Sequence, residues 1–210
     1  MLHRFTDNAV GANTYLVWDE ETMEGFVLDL AVPPATVRAY AEERGIHVRY
    51  LILSHGHYDH AYFAADYPAL FPDVPLYCHE DEKKILSDPA ANVSALIGAP
   101  TVYPMPDKTL ADGDTVSLGT SVWRVIHTPG HTPGSVTLKA EDVLFTGDTL
   151  FRSSIGRTDL EGGDFGTLMR SLKKLSALDG DWRVLPGHEG LSTLEDEKKY
   201  NGYLAQAAQM

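Results

Sequence analysis

Three histidines and one aspartate lie within six residues, in the segment His55–His60 with the sequence HGHYDH. Imidazole and carboxylate groups suit Zn, Fe or Mn ions, and the segment offers no thiolate. In an extended chain alternate side chains point the same way, so His55 and His57 can converge on one ion. A turn at Asp59 and His60 would direct these side chains to a second ion nearby. The pattern predicts a two-ion metal centre, and the competing interpretation is a solvated, His-rich surface loop.

Three later segments also place a metal-ligand type on a glycine-containing turn beside an apolar run. They are TPGHTPGS around His131, LFTGDTLF around Asp148 and VLPGH, which ends at His188. The apolar run Tyr50–Leu53 before the first cluster is typical of a buried strand, and loops after strands carry the chemistry of α/β proteins. Four strand-end loops therefore carry His or Asp, which argues strongly against the surface-loop interpretation.

The apolar and turn patterns predict the elements that position these loops. Strands are expected at 12–18, 24–29, 51–53, 75–78, 114–118, 121–127, 135–139, 142–146 and 182–185. Helices are expected at 34–44, 61–67, 80–87, 165–177 and the C-terminus, with an irregular stretch near 92–100. Two sheets with helices on their outer faces fit this order.

With these segments, the sequence resembles the metallo-β-lactamase superfamily and, within it, the small glyoxalase II-like hydrolases. HGHYDH matches the superfamily motif HxHxDH in full, and the later His, Asp and His follow in the expected order. Asn13–Val17, Ser154–Asp159 and Glu197–Leu204 resemble further segments of the glyoxalase II-like branch. The sequence departs from that branch at Gly202, where proline is usual, and at Val27–Ala31, which lacks the usual Asp-Pro-Gly. These departures affect the expected substrate class more than metal binding.

The resemblance implies an α/β fold, the αββα sandwich of two mixed sheets flanked by helices, and it implies a role for each ligand. One ion would be held by His55, His57 and His131. The second ion would be held by Asp59, His60 and His188, with Asp148 as the bridge. Asp59 and Asp148 are also the two carboxylates that we assign to catalysis.

Substrate contacts are expected outside the ligand set. Arg157 falls where the family uses a basic residue near glutathione, and a guanidinium suits an anion; the alternative is an ordinary surface arginine. The other candidates are Phe151, Asn92, Tyr103, Lys198 and Lys199. Full-length glyoxalase II enzymes grip glutathione with a longer C-terminal helical region, whereas 22 residues follow His188 here.

Two residues are candidates for supporting the metal ligands. His127 lies four residues before His131 and can hold the site in place through hydrogen bonds, although an ordinary surface role is the simpler interpretation. Asp29 ends an apolar strand on the expected side of the site. It can orient a ligand or cap backbone groups.

Composition limits the class of protein and its partners. The 210 residues are 43% hydrophobic and 22% charged, which fits one domain, 1–210, with a sizeable core. Seventeen basic and 30 acidic residues give a net charge of −13, which disfavours nucleic acid and anionic membranes as partners. Cys78, in a strand-like run, is expected to be buried. The N-terminus has no long apolar stretch, so no signal peptide or membrane span is predicted, and we expect a cytoplasmic location.

The expected reaction is hydrolysis by a hydroxide held between two divalent ions, with zinc expected and Fe or Mn also accepted. A thiolate leaves readily, because the pKa of its conjugate acid is about 8.5. We therefore expect a glyoxalase II-like thioesterase acting on S-2-hydroxyacylglutathione or a related small-molecule thioester. Three alternatives stay open: a lactonase or β-lactamase-type hydrolase, a persulfide dioxygenase with one iron, and a metal-binding or sensory module without turnover.

Overall fold

The first half of the chain builds a mixed sheet, here described from a computed structural model that covers residues 1–6 and 9–210. Its six strands lie side by side in chain order. They are β1 (Leu2–Phe5), β2 (Thr14–Trp18), β3 (Glu24–Leu28), β4 (His47–Ile52), β5 (Leu76–His79) and β6 (Lys108–Leu110). The first three strands pair antiparallel, and β3 to β6 pair in parallel.

The second half of the chain builds another mixed sheet. Its six strands are β7 (Thr115–Leu118), β8 (Ser121–His127), β9 (Val136–Ala140), β10 (Val143–Gly147), β13 (Arg183–Pro186) and β14 (Ser192–Thr193). Between β10 and β13 the chain forms a separate two-stranded ribbon, β11 (Leu150–Phe151) and β12 (Ser154–Ile155). The sheet order is β14-β13-β10-β9-β8-β7. Only the β10–β13 pair in this sheet is parallel, among the residues described.

Helices cover the outer face of each sheet. The helices are α1 (Pro34–Arg44), α2 (Tyr58–Ala61), α3 (Glu82–Ser87), α4 (Phe165–Ser176), α5 (Leu194–Tyr200) and α6 (Gly202–Ala208). The first three contribute to an apolar cluster on the first sheet, and the last three to a cluster on the second. A third cluster lies between the sheets, where the rings of Phe26, Trp123 and Phe145 pack with centroids 5.3–6.4 Å apart. Burial of these apolar faces holds the four layers together.

Local sequence signals explain where the principal helices begin and end. Pro34 occupies the first turn of α1, and Gly45 ends it with a φ of 69°, a conformation that glycine adopts without a steric penalty. The Asp164 side chain accepts a hydrogen bond from the Thr167 N–H and so caps α4. Backbone N–H of Asp164 also donates to the Gly130 carbonyl at 2.9 Å. Helix α4 is therefore tied to the loop that carries His131.

The αββα architecture predicted from the sequence is confirmed, with differences in detail. The helix expected at 61–67 is wrong: α2 begins earlier and ends at Ala61, and a 3₁₀ helix follows at Tyr67–Ala69. The expected C-terminal helix is two helices, because Asn201 ends α5 and caps α6 by accepting from the Tyr203 and Leu204 N–H groups. The sequence patterns also missed the short strands β1, β6, β11, β12 and β14. Across the part of the chain described, no helix is long and apolar enough to cross a membrane.

Candidate metal centre

The predicted ligands lie on loops that leave strands of both sheets. His55 and His57 follow β4, and His131 lies between β8 and β9. Asp148 follows β10 directly, and His188 follows β13. Because β10 and β13 run in parallel, their carboxyl ends meet at the same edge of the second sheet.

The first predicted ligand set converges. The ligand atoms of His55, His57 and His131 all lie within 4.8 Å of one another, and all three residues are buried. Nδ1 of His57 and Nε2 of His131 are 2.8 Å apart. This arrangement brings three imidazole nitrogens to one point, as a single bound ion requires.

The second predicted set converges beside the first. Nε2 of His188 lies 3.1 Å from Oδ2 of Asp59 and 3.2 Å from Nε2 of His60. These three residues also form a group whose ligand atoms lie within 4.8 Å of one another. Helix α2 places Asp59 and His60 in adjacent positions after the histidines of the first set.

Asp148 faces both sets. Its Oδ1 lies 3.3 Å from Nε2 of His60, and its Oδ2 lies 3.4 Å from Nε2 of His131 and 3.5 Å from Nε2 of His188. The neighbouring histidines hold the pKa of this carboxyl well below its usual range, against the opposing effect of burial. The ionised carboxylate is the form that binds a metal.

The donor atoms fit a metal ion. Among the described residues, Nε2 of His55 is buried and has no hydrogen-bond partner, and Nδ1 of His57 faces Nε2 of His131. An unpaired buried nitrogen is costly, so such atoms call for a ligand. Burial lowers the pKa of His57 to about 3 and that of His55 well below its usual range. Both imidazoles are therefore neutral, which metal binding requires.

A chain of hydrogen bonds through Asp29 orients two of the ligands. Nδ1 of His60 donates to Oδ2 of Asp29 at 2.8 Å. Nδ1 of His55 donates to Oγ of Ser54 at 3.1 Å, and this hydroxyl donates to Oδ2 of Asp29 at 2.9 Å. Oδ1 of Asp29 also accepts from the Ser54 N–H at 2.8 Å. Asp29 thus orients metal ligands and also accepts a hydrogen bond from a backbone N–H, the two alternative roles that the sequence analysis gave for it. Because His55 and His60 bond through Nδ1, each keeps Nε2 for an ion.

Backbone carbonyls orient two further ligands. Nδ1 of His131 donates to the Arg157 carbonyl at 2.8 Å, and Nδ1 of His188 donates to the Gly11 carbonyl at 3.0 Å. Each bond fixes the ring and leaves Nε2 for an ion. Arg157 therefore contacts the first ligand set through its backbone carbonyl, independently of its side chain.

Glu82 is a supporting residue that the sequence analysis missed. Its side chain is fully buried, and its two carboxylate oxygens accept hydrogen bonds of 2.6 Å from the Gly56 and Gly134 N–H groups. Gly56 lies between two ligands of the first set, and Gly134 lies in the loop of His131. Burial raises the pKa of Glu82 to about 7, although these hydrogen bonds oppose the shift. One carboxylate thus ties together the two loops that form the first set.

His127 lies outside the ligand sets. Its Nε2 donates to the Pro133 carbonyl at 2.8 Å, and its ring stacks on His79 with centroids 4.1 Å apart. His127, His79 and Asp81 form another group of metal-ligand types. Nδ1 of His79 accepts from the Asp81 N–H at 3.2 Å, so hydrogen bonds already occupy one nitrogen of each ring. The contact with Pro133 supports the loop of His131 from outside.

A cavity of about 590 Å³ opens over the metal centre. Its floor includes five of the predicted ligands: His57, Asp59, His131, Asp148 and His188. Its apolar wall comprises Val93, Leu96, Ile97, Phe151, Ile155 and Leu160. A bound molecule in this cavity can reach both ligand sets at once.

Two of the predicted substrate residues, Phe151 and Arg157, line the cavity. The Arg157 guanidinium is exposed and forms a two-point ion pair with Asp159, with nitrogen–oxygen distances of 2.7 and 2.8 Å. Its charge is therefore already paired within the chain. The ring of Phe151 contacts the ring of His188 edge-on, with centroids 5.9 Å apart.

The remaining predicted substrate residues do not line the cavity, which corrects the sequence analysis. Asn92 is buried: its amide donates to the Thr101 carbonyl at 2.9 Å and its Oδ1 accepts from the Ser94 N–H at 3.0 Å. Nζ of Lys198 donates to the Leu178 carbonyl at 2.7 Å. Tyr103 is buried, and Lys199 lies over the Tyr200 ring. Asn92, Lys198 and Tyr103 thus use their polar atoms to bond the backbone of the protein itself.

Two stacked sheets with a His and Asp centre at one edge define a class of metal-dependent hydrolase. The chain belongs to the metallo-β-lactamase superfamily, whose family model matches residues 7–188. It is 31% identical to the hydroxyacylglutathione hydrolase GloC of Haemophilus influenzae, over 91% of this chain and 92% of that protein. Members of the superfamily bind one or two divalent metal ions.

Two solved structures are similar to the chain throughout its length. The B3 metallo-β-lactamase BLEG-1 is 33% identical with a TM-score of 0.88, covering 97% of this chain and 99% of that one. TTHA1623 in a di-iron-bound form is 31% identical with a TM-score of 0.83, covering 96% and 99%. The relatives thus share one scaffold, but their names give different activities, a B3 metallo-β-lactamase and a hydroxyacylglutathione hydrolase.

Proposed function

We propose that the protein is a dinuclear metal-dependent hydrolase that cleaves thioesters, with S-2-hydroxyacylglutathione or a related thioester as substrate. The observation that carries the proposal is the pair of converging ligand sets with Asp148 facing both. The hydroxyacylglutathione hydrolase among the relatives supports thioesters as the substrate class. Zinc is the proposed ion, and the di-iron-bound relative makes iron the alternative to test.

When bound, a pair of divalent ions supplies a hydroxide nucleophile near neutral pH and Lewis-acid stabilisation of the developing oxyanion. The protein residues fix the geometry for this chemistry. Asp148 holds a carboxylate between the two sets, and Asp29 keeps His60 and His55 in the orientation that leaves Nε2 free. Asp59 and Asp148 both line the cavity, so they lie beside an incoming carbonyl group.

The leaving group explains why a thioester suits this site. A thiol has a pKa of about 8.5, so the thiolate departs without a strong general acid. No serine or cysteine nucleophile is required, and the single cysteine of the chain, Cys78, is buried with its pKa raised by that burial. The ligand sets and the cavity therefore support the proposed reaction without a nucleophilic side chain.

A second candidate is hydrolysis of a lactone or β-lactam at the same centre. The similarity to a B3 metallo-β-lactamase at 33% identity favours testing it. The proposed mechanism of attack is the same, but the leaving group differs. A substrate panel therefore separates the two candidates.

The test is steady-state hydrolysis of S-D-lactoylglutathione, a neutral-thiol thioester, a lactone and a β-lactam by one metal-loaded preparation. We expect thioesters to have the highest kcat/KM. A lactone or β-lactam exceeding every thioester would replace the thioesterase proposal with the second candidate. Oxygen uptake with glutathione persulfide in the iron-loaded protein would instead indicate dioxygenase chemistry.

A further inference from the structure

The cavity wall is apolar along two separate segments. Val93, Leu96 and Ile97 come from the irregular segment after α3, and Phe151, Ile155 and Leu160 come from the ribbon and the loop behind it. Leu96 and Ile97 are 74% and 47% exposed, although both are large apolar residues. Apolar side chains left open to water at the mouth of a functional cavity indicate an apolar binding partner.

Hydrogen bonds fix the turn that carries Val93, the first residue of this cavity wall. Val93 has a φ of 74°, which is a strained backbone conformation for a β-branched residue. The buried Asn92 side chain holds this turn through hydrogen bonds to the Thr101 carbonyl and the Ser94 N–H. Asn92 thus fixes the turn in which Val93 contributes to the cavity wall.

Outside the metal centre, the described side chains that line the cavity offer no unpaired cation to an anionic ligand. Arg157 is the only lysine or arginine of the described residues that lines it, and Asp159 already pairs with its guanidinium at two points. Glu189 adds an acid to the lining, and the chain carries a net charge of −13. Glutathione brings two carboxylates and one ammonium group, and its carboxylates would have to displace the Arg157–Asp159 ion pair or remain unpaired.

From this wall and these charges we propose that the preferred substrate is a thioester with an apolar acyl group and an uncharged thiol. The acyl chain contacts Val93, Leu96 and Ile97 while the thioester carbonyl lies over the ligand sets. This inference rests on the proposed thioesterase function and, among its substrates, favours a related thioester over S-2-hydroxyacylglutathione. It leaves the metal-dependent reaction unchanged.

The experiment uses the metal-loaded full chain with two series of thioesters. Acetyl, butanoyl and hexanoyl groups are attached to N-acetylcysteamine, a neutral thiol, and to glutathione. Each added methylene is expected to raise kcat/KM by about fourfold, the effect of burying one methylene group. For each acyl group the neutral thiol is expected to give the higher value. A flat or falling series, or a preference for glutathione, would overturn the inference.

Variants of the cavity wall test whether Leu96 and Ile97 cause the preference for longer acyl chains. Leu96→Ser and Ile97→Ser are expected to flatten the dependence on chain length. Both residues are exposed, so both variants are expected to fold. Val122→Ser is the matched control, because Val122 is 57% exposed on β8 and does not line the cavity. An equal effect of all three variants would contradict the assignment of the wall.

A binding measurement separates this inference from the proposed function. Ethyl and hexyl thioether analogues cannot be hydrolysed, so their dissociation constants, measured calorimetrically, report the cavity alone. Tighter binding of the hexyl analogue would support the apolar cavity even if no thioester were hydrolysed, in which case the proposed function fails. Equal binding of the two analogues would overturn the inference whatever the enzyme hydrolyses.

Discussion

Replacing Glu82 by glutamine tests how the two loops of the first ligand set are held together. In the wild-type protein each carboxylate oxygen accepts one N–H, from Gly56 and from Gly134, at 2.6 Å. Glutamine has one oxygen, so its amide NH₂ must face one of these N–H donors. The side chain keeps its size but loses one hydrogen bond to a charged group and leaves a buried N–H unpaired.

The expected magnitude follows from that single lost bond. A hydrogen bond to a charged group contributes about 1.5–3 kcal/mol, so metal affinity is expected to fall by about 10- to 100-fold. The assay is competition with a chromophoric chelator at about pH 8, where a carboxyl with a pKa of about 7 is ionised. Chemical denaturation of the metal-free protein gives the accompanying loss in free energy of unfolding.

The matched control is Glu80→Gln, two residues earlier in the chain. Glu80 is exposed and pairs with the exposed Lys83 at 3.4 Å, so its replacement is expected to change metal affinity by less than about twofold. If Glu82→Gln binds metal as tightly as Glu80→Gln, the two hydrogen bonds do not position the ligands. The reasoning about Glu82 would then be refuted.

Three further substitutions probe the site and its support. Asp148→Ala is expected to abolish activity and reduce the metal content of both sets, because one carboxylate faces both; near-normal metal content, measured by elemental analysis, would contradict its bridging role. His127→Ala is expected to retain the wild-type metal stoichiometry, and loss of both ions would show that His127 rather than His131 is a ligand. Gly130→Ala is expected to lower the free energy of unfolding by about 2–4 kcal/mol, since Gly130 has a φ of 132° and an added Cβ would lie 2.3–2.6 Å from Leu168. Denaturant titration of that variant, compared with Gly202→Ala, which meets nothing within 4 Å, would show whether the close contact matters.

The sequence predicted the features that depend on local pattern. The ligand types were recognisable because HGHYDH is dense in imidazole and carboxylate, and because the later ligands each follow an apolar run. The principal strands and α1 were predictable from alternation and from the Pro34 and Gly45 signals. Short strands such as β6 carry too few residues to show any period.

Features that depend on distant contacts could not be predicted in this way. Glu82 bonds to residues 26 and 52 positions away, and its own segment looks like an ordinary charged helix. Asn92 was expected to line the pocket, yet its side chain bonds to the Thr101 carbonyl and the Ser94 N–H. The pairing of Arg157 with Asp159 spans only two residues, so opposite charges at this spacing in the sequence are a local signal for it.

The measurement that tests the central claim most directly is a titration of metal ions into the metal-free protein, with bound metal and thioester hydrolysis followed on the same sample. Two equivalents of ion are expected to bind per chain, because two ligand sets share Asp148. Hydrolysis is expected to appear as both sets fill and to be absent in Asp148→Ala at every metal concentration. Full activity with one equivalent, or saturation at one ion per chain, would contradict the two-ion mechanism.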